Sequence, residues 1–144
     1  MTLSEHQRQL VAIGACVGAS CLSHLDRHVA RARAIGLDDG AILRAIEDAE
    51  YVKQRAYHAV AAHARGVLGL APERPPESRS ASSCEEELVS LGSAVAANAV
   101  LQTQEHLEAA RAQGITDEQI ASVVMLARQM QTCARRSLRG KFRP

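Results

Sequence analysis

The chain has 144 residues, a formal net charge of +1 at pH 7 and no tryptophan. That length fits one domain with a hydrophobic core, and the near-zero charge gives no reason to expect nucleic acid or a membrane surface as a partner. Hydrophobic residues make up 47% of the sequence but aromatic residues only 2%. The core is therefore built from Ala, Leu, Val and Ile, which favours closely packed helices over a β-sandwich.

Four cysteines in a chain of this size do not form a disulfide scaffold. On one continuous helix, Cys16 and Cys21 point about 140° apart, which is poor geometry for a bridge. The sequence has no apolar run of about 18 residues, and its N-terminal stretch lacks the apolar segment of a secretory signal. We therefore expect a cytoplasmic protein with reduced thiols.

Helical signals begin near the N-terminus. Ser4 is a capping residue, and apolar residues at helical spacing continue as far as Ile35, which predicts one long helix. Asp38 or Asp39 caps a second helix, which we expect to continue, with a break, and to end near Gly66 or Gly69.

A composition change separates the two halves of the chain. Residues 71–83 read A-P-E-R-P-P-E-S-R-S-A-S-S, which cannot hold a helix and is predicted to bury nothing. After this linker, Ser83 precedes a run of glutamates that suits the first turn of a helix. That helix is predicted to run to Gly114. Thr116 caps the last helix, which ends in a basic tail from Arg135.

The two halves are copies of one another. Placing Gly36 on Gly114 defines an offset of 78 positions (114 − 36), and twelve of the 33 residue pairs between 10–42 and 88–120 are then identical. One half is too small to bury its apolar face alone, so we expect the halves to pack around a pseudo-twofold axis. The sequence predicts an all-α fold with a first repeat at 1–70, a linker at 71–83 and a second repeat at 84–144.

A thiol and two imidazoles lie close together in the first repeat. On a continuous helix, Cys21, His24 and His28 fall on one side at spacing i, i+3, i+7, and that side is apolar. Buried polar groups cost free energy unless they are partnered, so these residues either satisfy one another or perform chemistry. The equivalent residues of the second repeat are Ala99, Gln102 and His106.

A helix with Cys-x-x-Cys-x-x-x-His, followed by small residues, a glycine and a capped helix, is typical of the carboxymuconolactone decarboxylase family and its alkylhydroperoxidase D-like members. This chain resembles that family over 10–60 and 88–130, with the variant Cys-x-x-His-x-x-x-His. The resemblance implies an all-helical fold and assembly into trimers or hexamers with sites near subunit contacts. It matches Cys21 to the attacking cysteine and His28 to the histidine of the proton relay.

The chain departs from the family pattern at two positions. His24 stands where the second cysteine is expected, so a dithiol cycle within the motif is not possible. The upstream relay glutamate is Gln9 in the first repeat and Glu87 in the second, and whether Glu87 and His106 contribute to a site stays open. Turnover at Cys21 would need an external thiol reductant or a cysteine from another subunit.

Three functions fit these residues. The first, favoured by the resemblance, is an antioxidant without a cofactor, in which Cys21 attacks, His28 relays the proton and His24 replaces the resolving thiol. The second is a decarboxylase-like lyase that acts on a small lactone acid, with His28 as the acid–base group. The third is a non-enzymatic protein, or one that binds a metal such as zinc through Cys21, His24 and His28. In each case we expect a homo-oligomer, and for the enzymes a small-molecule substrate.

Overall fold

The computed structural model describes residues 2–77, 79 and 83–142, and these form six helices and no strand. The predicted all-α fold is confirmed. The helices are α1 (Glu5–Ala19), α2 (Leu22–Ala34), α3 (Asp39–Val67), α4 (Cys84–Ala96), α5 (Val100–Ala112) and α6 (Asp117–Lys141). No helix of the described residues is long and apolar enough to cross a membrane. The basic tail is helical as far as Lys141, and residues 143–144 lie outside the described ones.

Four helices begin at residues that the sequence marks as caps. The capping side chain accepts a hydrogen bond from the backbone N–H three residues later in each case. These caps are Ser4, Asp38, Ser83 and Thr116. Gly36 and Gly114 have positive φ angles of 94° and 81°, which a glycine adopts without strain, and each lies between two helices.

The predicted continuous first helix is wrong, because the chain breaks between α1 and α2. Ser20 takes a left-handed conformation (φ 56°), its N–H donates to the carbonyl of Val17 (3.2 Å), and the N–H of Cys21 donates to the carbonyl of Cys16 (2.8 Å). These two hydrogen bonds define a Schellman motif, which closes the C-terminus of a helix. Cys21 therefore precedes α2 and is its N-cap residue.

The same break separates α4 from α5, so the single helix predicted up to Gly114 is also wrong. Asn98 is left-handed (φ 55°), and the N–H of Ala99 donates to the carbonyl of Ala94 (2.9 Å). A side chain from the third helix of each repeat braces each break: Lys53 donates to the end of α1, and Gln131 to the end of α4. In contrast, α3 runs without the break predicted for it.

α1 and α4 cross at the centre of the molecule, and both α3 and α6 pack against both of them. A Cβ atom on Gly14 would meet Val89, and one on Gly92 would meet Val11, which is the equivalent contact with the repeats exchanged. A pseudo-twofold axis produces this exchange. The backbones approach most closely at Gly18, where a Cβ would lie 2.4 Å from a backbone oxygen of α4.

The linker contributes to the folded structure. Residues 78 and 80–82 lie outside the described residues, and the others of 71–83 that precede Ser83 contain no helix. The described residues of the linker are exposed except for the half-buried Pro76, and the exposed Arg79 forms an ion pair with the buried carboxylate of Asp48 (2.7 Å).

Candidate functional site

Cys21 does not lie on the helix that carries the two histidines grouped with it in the sequence. Because it precedes α2, the i, i+3, i+7 spacing does not apply. Its side chain is buried (2% exposed) among apolar residues, and its Sγ lies 3.6 Å from Ser23 Oγ. Among the described residues, Cys21 makes no hydrogen bond to His24 or His28.

His28 is held by an amide. Its Nδ1 lies 3.1 Å from Oε1 of Gln9, and both residues are buried. Burial lowers the pKa of His28, and the positive charges of Arg31 and the neighbouring His24 lower it further. His28 is therefore a neutral imidazole bound to a neutral group near pH 7, which is a weak arrangement for relaying protons.

The equivalent pair of the second repeat contains a carboxylate. Nδ1 of His106 lies 2.8 Å from Oε2 of Glu87, and the two side chains are only 15% and 9% exposed. Glu87 and His106 are 19 positions apart, as are Gln9 and His28, so the repeat builds the same contact twice. A carboxylate that accepts the Nδ1–H fixes the tautomer and leaves the lone pair on Nε2. Nε2 of His106 is buried and has no hydrogen-bond partner among the described residues.

A cavity of about 570 Å³ lies beside this pair, between α3, the linker and the second repeat. Its other polar and charged lining residues are Asp48, Tyr51, Arg55, His58, Arg79, Glu86, Ser90, Gln102 and Glu105.

Two guanidinium groups flank the ring of Tyr51 in this cavity. The central carbon atoms of Arg55 and Arg79 lie 5.9 and 5.2 Å from the ring centroid. Arg55 is paired with Glu105 (2.8 Å) and Arg79 with Asp48 (2.7 Å). Burial raises the pKa of Asp48, although Arg79 opposes this rise. The cavity thus combines an imidazole–carboxylate pair, a second buried carboxylate whose pKa is raised by burial, and two cations.

No protein-family model, curated protein or solved structure matches the chain. The chain does offer an internal comparison, because its two repeats place equivalent residues around two cavities.

The counterpart in the first repeat is a groove of about 950 Å³ between α2 and α6, lined by His24 and His28. By the 78-position offset, Gln129 and Cys133 of this groove are equivalent to Tyr51 and Arg55 of the cavity. Its remaining lining residues are Arg27, Ala121, Val124, Met125, Arg128, Met130, Thr132 and Arg136. The groove therefore lacks both the carboxylates and the aromatic ring of the cavity.

The predicted site residues divide between these places. His24 and His28 line the groove, whereas Cys21 lies in the apolar cluster behind it. No group of three or more His, Cys, Asp or Glu side chains of the described residues is placed to hold a metal ion, so the alternative metal set Cys21, His24 and His28 has no such geometry.

Sequence reasoning missed the first-repeat and linker residues that complete the cavity, namely Asp48, Tyr51, Arg55 and Arg79. The equal spacing of Gln9 to His28 and of Glu87 to His106 was the signal that could identify the pair itself.

Proposed function

We propose that the protein is an enzyme that moves a proton on a small anionic organic molecule, with His106 as the base and Glu87 as its partner. The observation that carries this proposal is the 2.8 Å contact between Nδ1 of His106 and Glu87 at the wall of the cavity. The function is the lyase alternative considered from the sequence, with the acid–base group at His106 in place of His28.

The pair acts through the two nitrogens of the His106 ring. Glu87 accepts the Nδ1–H, holds the ring in orientation and stabilises the imidazolium that forms when Nε2 takes a proton. A buried nitrogen without a hydrogen-bond partner costs about 1–3 kcal/mol. Nε2 of His106 has almost no contact with solvent, so a polar group of the substrate relieves that cost only once a side-chain movement opens Nε2 to the cavity.

Arg55 is the group of the cavity that can bind an anionic part of the substrate, although four carboxylates also line the cavity. Arg55 is paired with Glu105, whose side chain is 51% exposed. An ion pair at such an exposed site contributes only about 0–1 kcal/mol of stabilisation. A substrate carboxylate can therefore take the place of Glu105 on the guanidinium. A small lactone acid fits this set of groups.

Proton exchange from small carboxylic and lactone acids in D₂O, followed by NMR, tests the proposal. The wild-type protein should exchange an acidic C–H of at least one such compound, and Glu87→Gln should lower the rate by about 10²–10⁴-fold. Gln9→Glu makes the reverse change at the equivalent position and should leave the rate unaltered. An unchanged rate in both Glu87→Gln and His106→Gln would contradict the proposal.

Thiol redox chemistry at Cys21 is a second candidate, favoured by the burial of Cys21 and Cys16 in one cluster at the end of α1. The relay through His28 stays a prediction, and the residue that His28 contacts is Gln9 rather than a carboxylate. Peroxide-dependent consumption of an external thiol tests this candidate. Full activity of Cys21→Ala would exclude it.

We also propose that the chain forms a homo-oligomer, a trimer by the family resemblance. Large apolar side chains are exposed on the C-terminal part of α3, just beyond it, and on the first turn of α5. They are Tyr57, Val60, Val67, Leu68, Leu70, Val100 and Leu101. Sedimentation velocity at micromolar concentration should show a trimer or hexamer, and a monodisperse monomer would contradict this. A cytoplasmic location stays a prediction.

A further inference from the structure

We propose that Cys16 and Cys21 form a redox-active pair, which a hydroperoxide closes to a disulfide and an external thiol reopens. This inference concerns a different site from the proton transfer at His106. It deepens the second candidate function by naming the thiol that partners Cys21, and it rests on that function for its biological role. The prediction that these side chains point apart is wrong, because it assumed a continuous helix.

The break after α1 brings the two cysteines together. They occupy the two positions of a Schellman motif that make a side-chain contact, and they are joined by the backbone hydrogen bond of 2.8 Å. A disulfide needs Cα atoms about 4.4–6.8 Å apart, a separation that a direct backbone hydrogen bond permits. Both side chains are buried in one cluster, with exposures of 1% and 2%.

The second repeat shows that this turn does not need sulfur. Ala94 and Ala99 occupy the equivalent positions, make the equivalent backbone hydrogen bond (2.9 Å) and are buried. Two small apolar side chains therefore satisfy the turn and its packing. The first repeat instead carries a thiol at both positions. Disulfide formation between the two thiols would explain why cysteine occupies both.

The cluster lies close to the groove on one side and to the exposed surface on the other. Sδ of Met130, which lines the groove of the first repeat, lies 3.3 Å from Sγ of Cys16. Sγ of Cys21 lies 3.6 Å from Oγ of Ser23, which in turn contacts Oγ of Ser137 (3.2 Å) at the exposed surface. Cys21 is thus one exposed serine away from the surface, and a small hydroperoxide reaches it when the side chain of Ser23 moves aside.

Cys21 is the attacking residue. Its sulfur lies one exposed serine from the surface, whereas the sulfur of Cys16 lies against Met130 in the interior. Burial also raises the pKa of the Cys16 thiol to about 12, and the nearby Cys21 adds to this rise, so Cys16 keeps its proton while Cys21 reacts with the hydroperoxide. The sulfur of Cys21 attacks the terminal oxygen of the hydroperoxide, the O–O bond breaks, and the alcohol leaves with the thiol proton, which gives a sulfenic acid at Cys21.

Cys16 then resolves the sulfenic acid. Its sulfur attacks the sulfur of Cys21, the S–O bond breaks, and water leaves with the proton of the Cys16 thiol. The two cysteines have lost two electrons, and the hydroperoxide has been reduced to an alcohol and water. Two molecules of an external thiol return the pair to the dithiol by exchange and leave as a disulfide.

Mass spectrometry of the native full-length protein after treatment with hydrogen peroxide tests the pair. Trypsin cleaves after Arg8 and Arg27 and at no site between them, so both cysteines lie in one peptide. That peptide should lose two hydrogens, and dithiothreitol should restore its mass. Cys16→Ala, which installs the residue of the second repeat, should instead leave a sulfenic acid at Cys21 that dimedone traps. Cys84→Ala, at an exposed site, is the control and should form the disulfide as the wild type does.

Three results would overturn the proposal: an unchanged peptide mass, a linkage of Cys21 to Cys133, or crosslinking only between chains through Cys84. The experiment detects a disulfide linkage and not a catalytic rate, so its result is independent of proton transfer at His106. A disulfide that forms without peroxide-dependent turnover would refute the second candidate function while supporting the pair.

Discussion

Gly18 sets the separation of α1 and α4, and Gly18→Ala should destabilise the protein. A Cβ atom there would lie 2.4 Å from the backbone oxygen and 2.9 Å from the Cα atom of Ser93, about 1 Å and about 0.5 Å short of the 3.4 Å at which ordinary contact begins. Both are backbone atoms, so no rotamer change relieves the clash. Overpacking of this kind costs about 1–3 kcal/mol, whereas alanine gains about 0.5–1 kcal/mol over glycine in a helix. We expect a net loss of about 0–2.5 kcal/mol, toward the upper end because the clash is with backbone atoms.

Urea unfolding followed by circular dichroism measures this loss. Gly66→Ala in α3 is the matched control, because a Cβ there has no atom within 4 Å, and it should stabilise the protein by about 0.5–1 kcal/mol. The two unfolding midpoints should therefore move in opposite directions. A Gly18→Ala protein as stable as Gly66→Ala would refute the close crossing of the two helices.

Three further predictions concern stability and binding. Lys53→Met removes donors at 3.0 and 2.8 Å from the end of α1 and should cost about 1 kcal/mol in urea unfolding; no change would mean that the break needs no brace. Because the pKa of His28 is lowered from 6.5 in the folded state, the unfolded chain binds the proton first, so stability should fall as the pH drops below 6.5. His28→Gln should flatten that fall, and an identical pH profile would contradict the assignment. Arg55→Met should weaken binding of small carboxylates about tenfold in NMR titrations, whereas Arg33→Met, at a surface pair with Asp39, should not; equal effects would place the anion site elsewhere.

The fold followed from the sequence because its signals are local. Caps such as Ser4 and Thr116 set where helices begin, and the apolar spacing of the two repeats required that they pack on each other. The breaks between α1 and α2 and between α4 and α5 were not predicted, because a serine such as Ser20 does not by itself indicate a left-handed conformation. Asn98, at the equivalent position, does tolerate that conformation, and the repeat could have transferred its signal to the first half.

The candidate site was less accessible to sequence reasoning. The Glu87–His106 pair follows from the repeat spacing, but the cavity beside it joins α3 of the first repeat to the linker. The ion pair of Arg79 with Asp48 spans a segment whose composition predicts no buried contact, so only the folded chain places these groups together. The adjacency of Cys16 and Cys21 likewise depends on a turn that the apolar pattern does not reveal.

A double-mutant cycle on the proton-exchange rate tests most directly the claim that Glu87 and His106 act as one acid–base unit. Glu87→Gln, His106→Gln and the double variant are compared with the wild-type protein on the same small carboxylic or lactone acid. Residues that act as a unit have strongly non-additive effects, so the double variant should be no slower than His106→Gln alone. Additive losses, or a Glu87→Gln protein as fast as the wild type, would contradict the account.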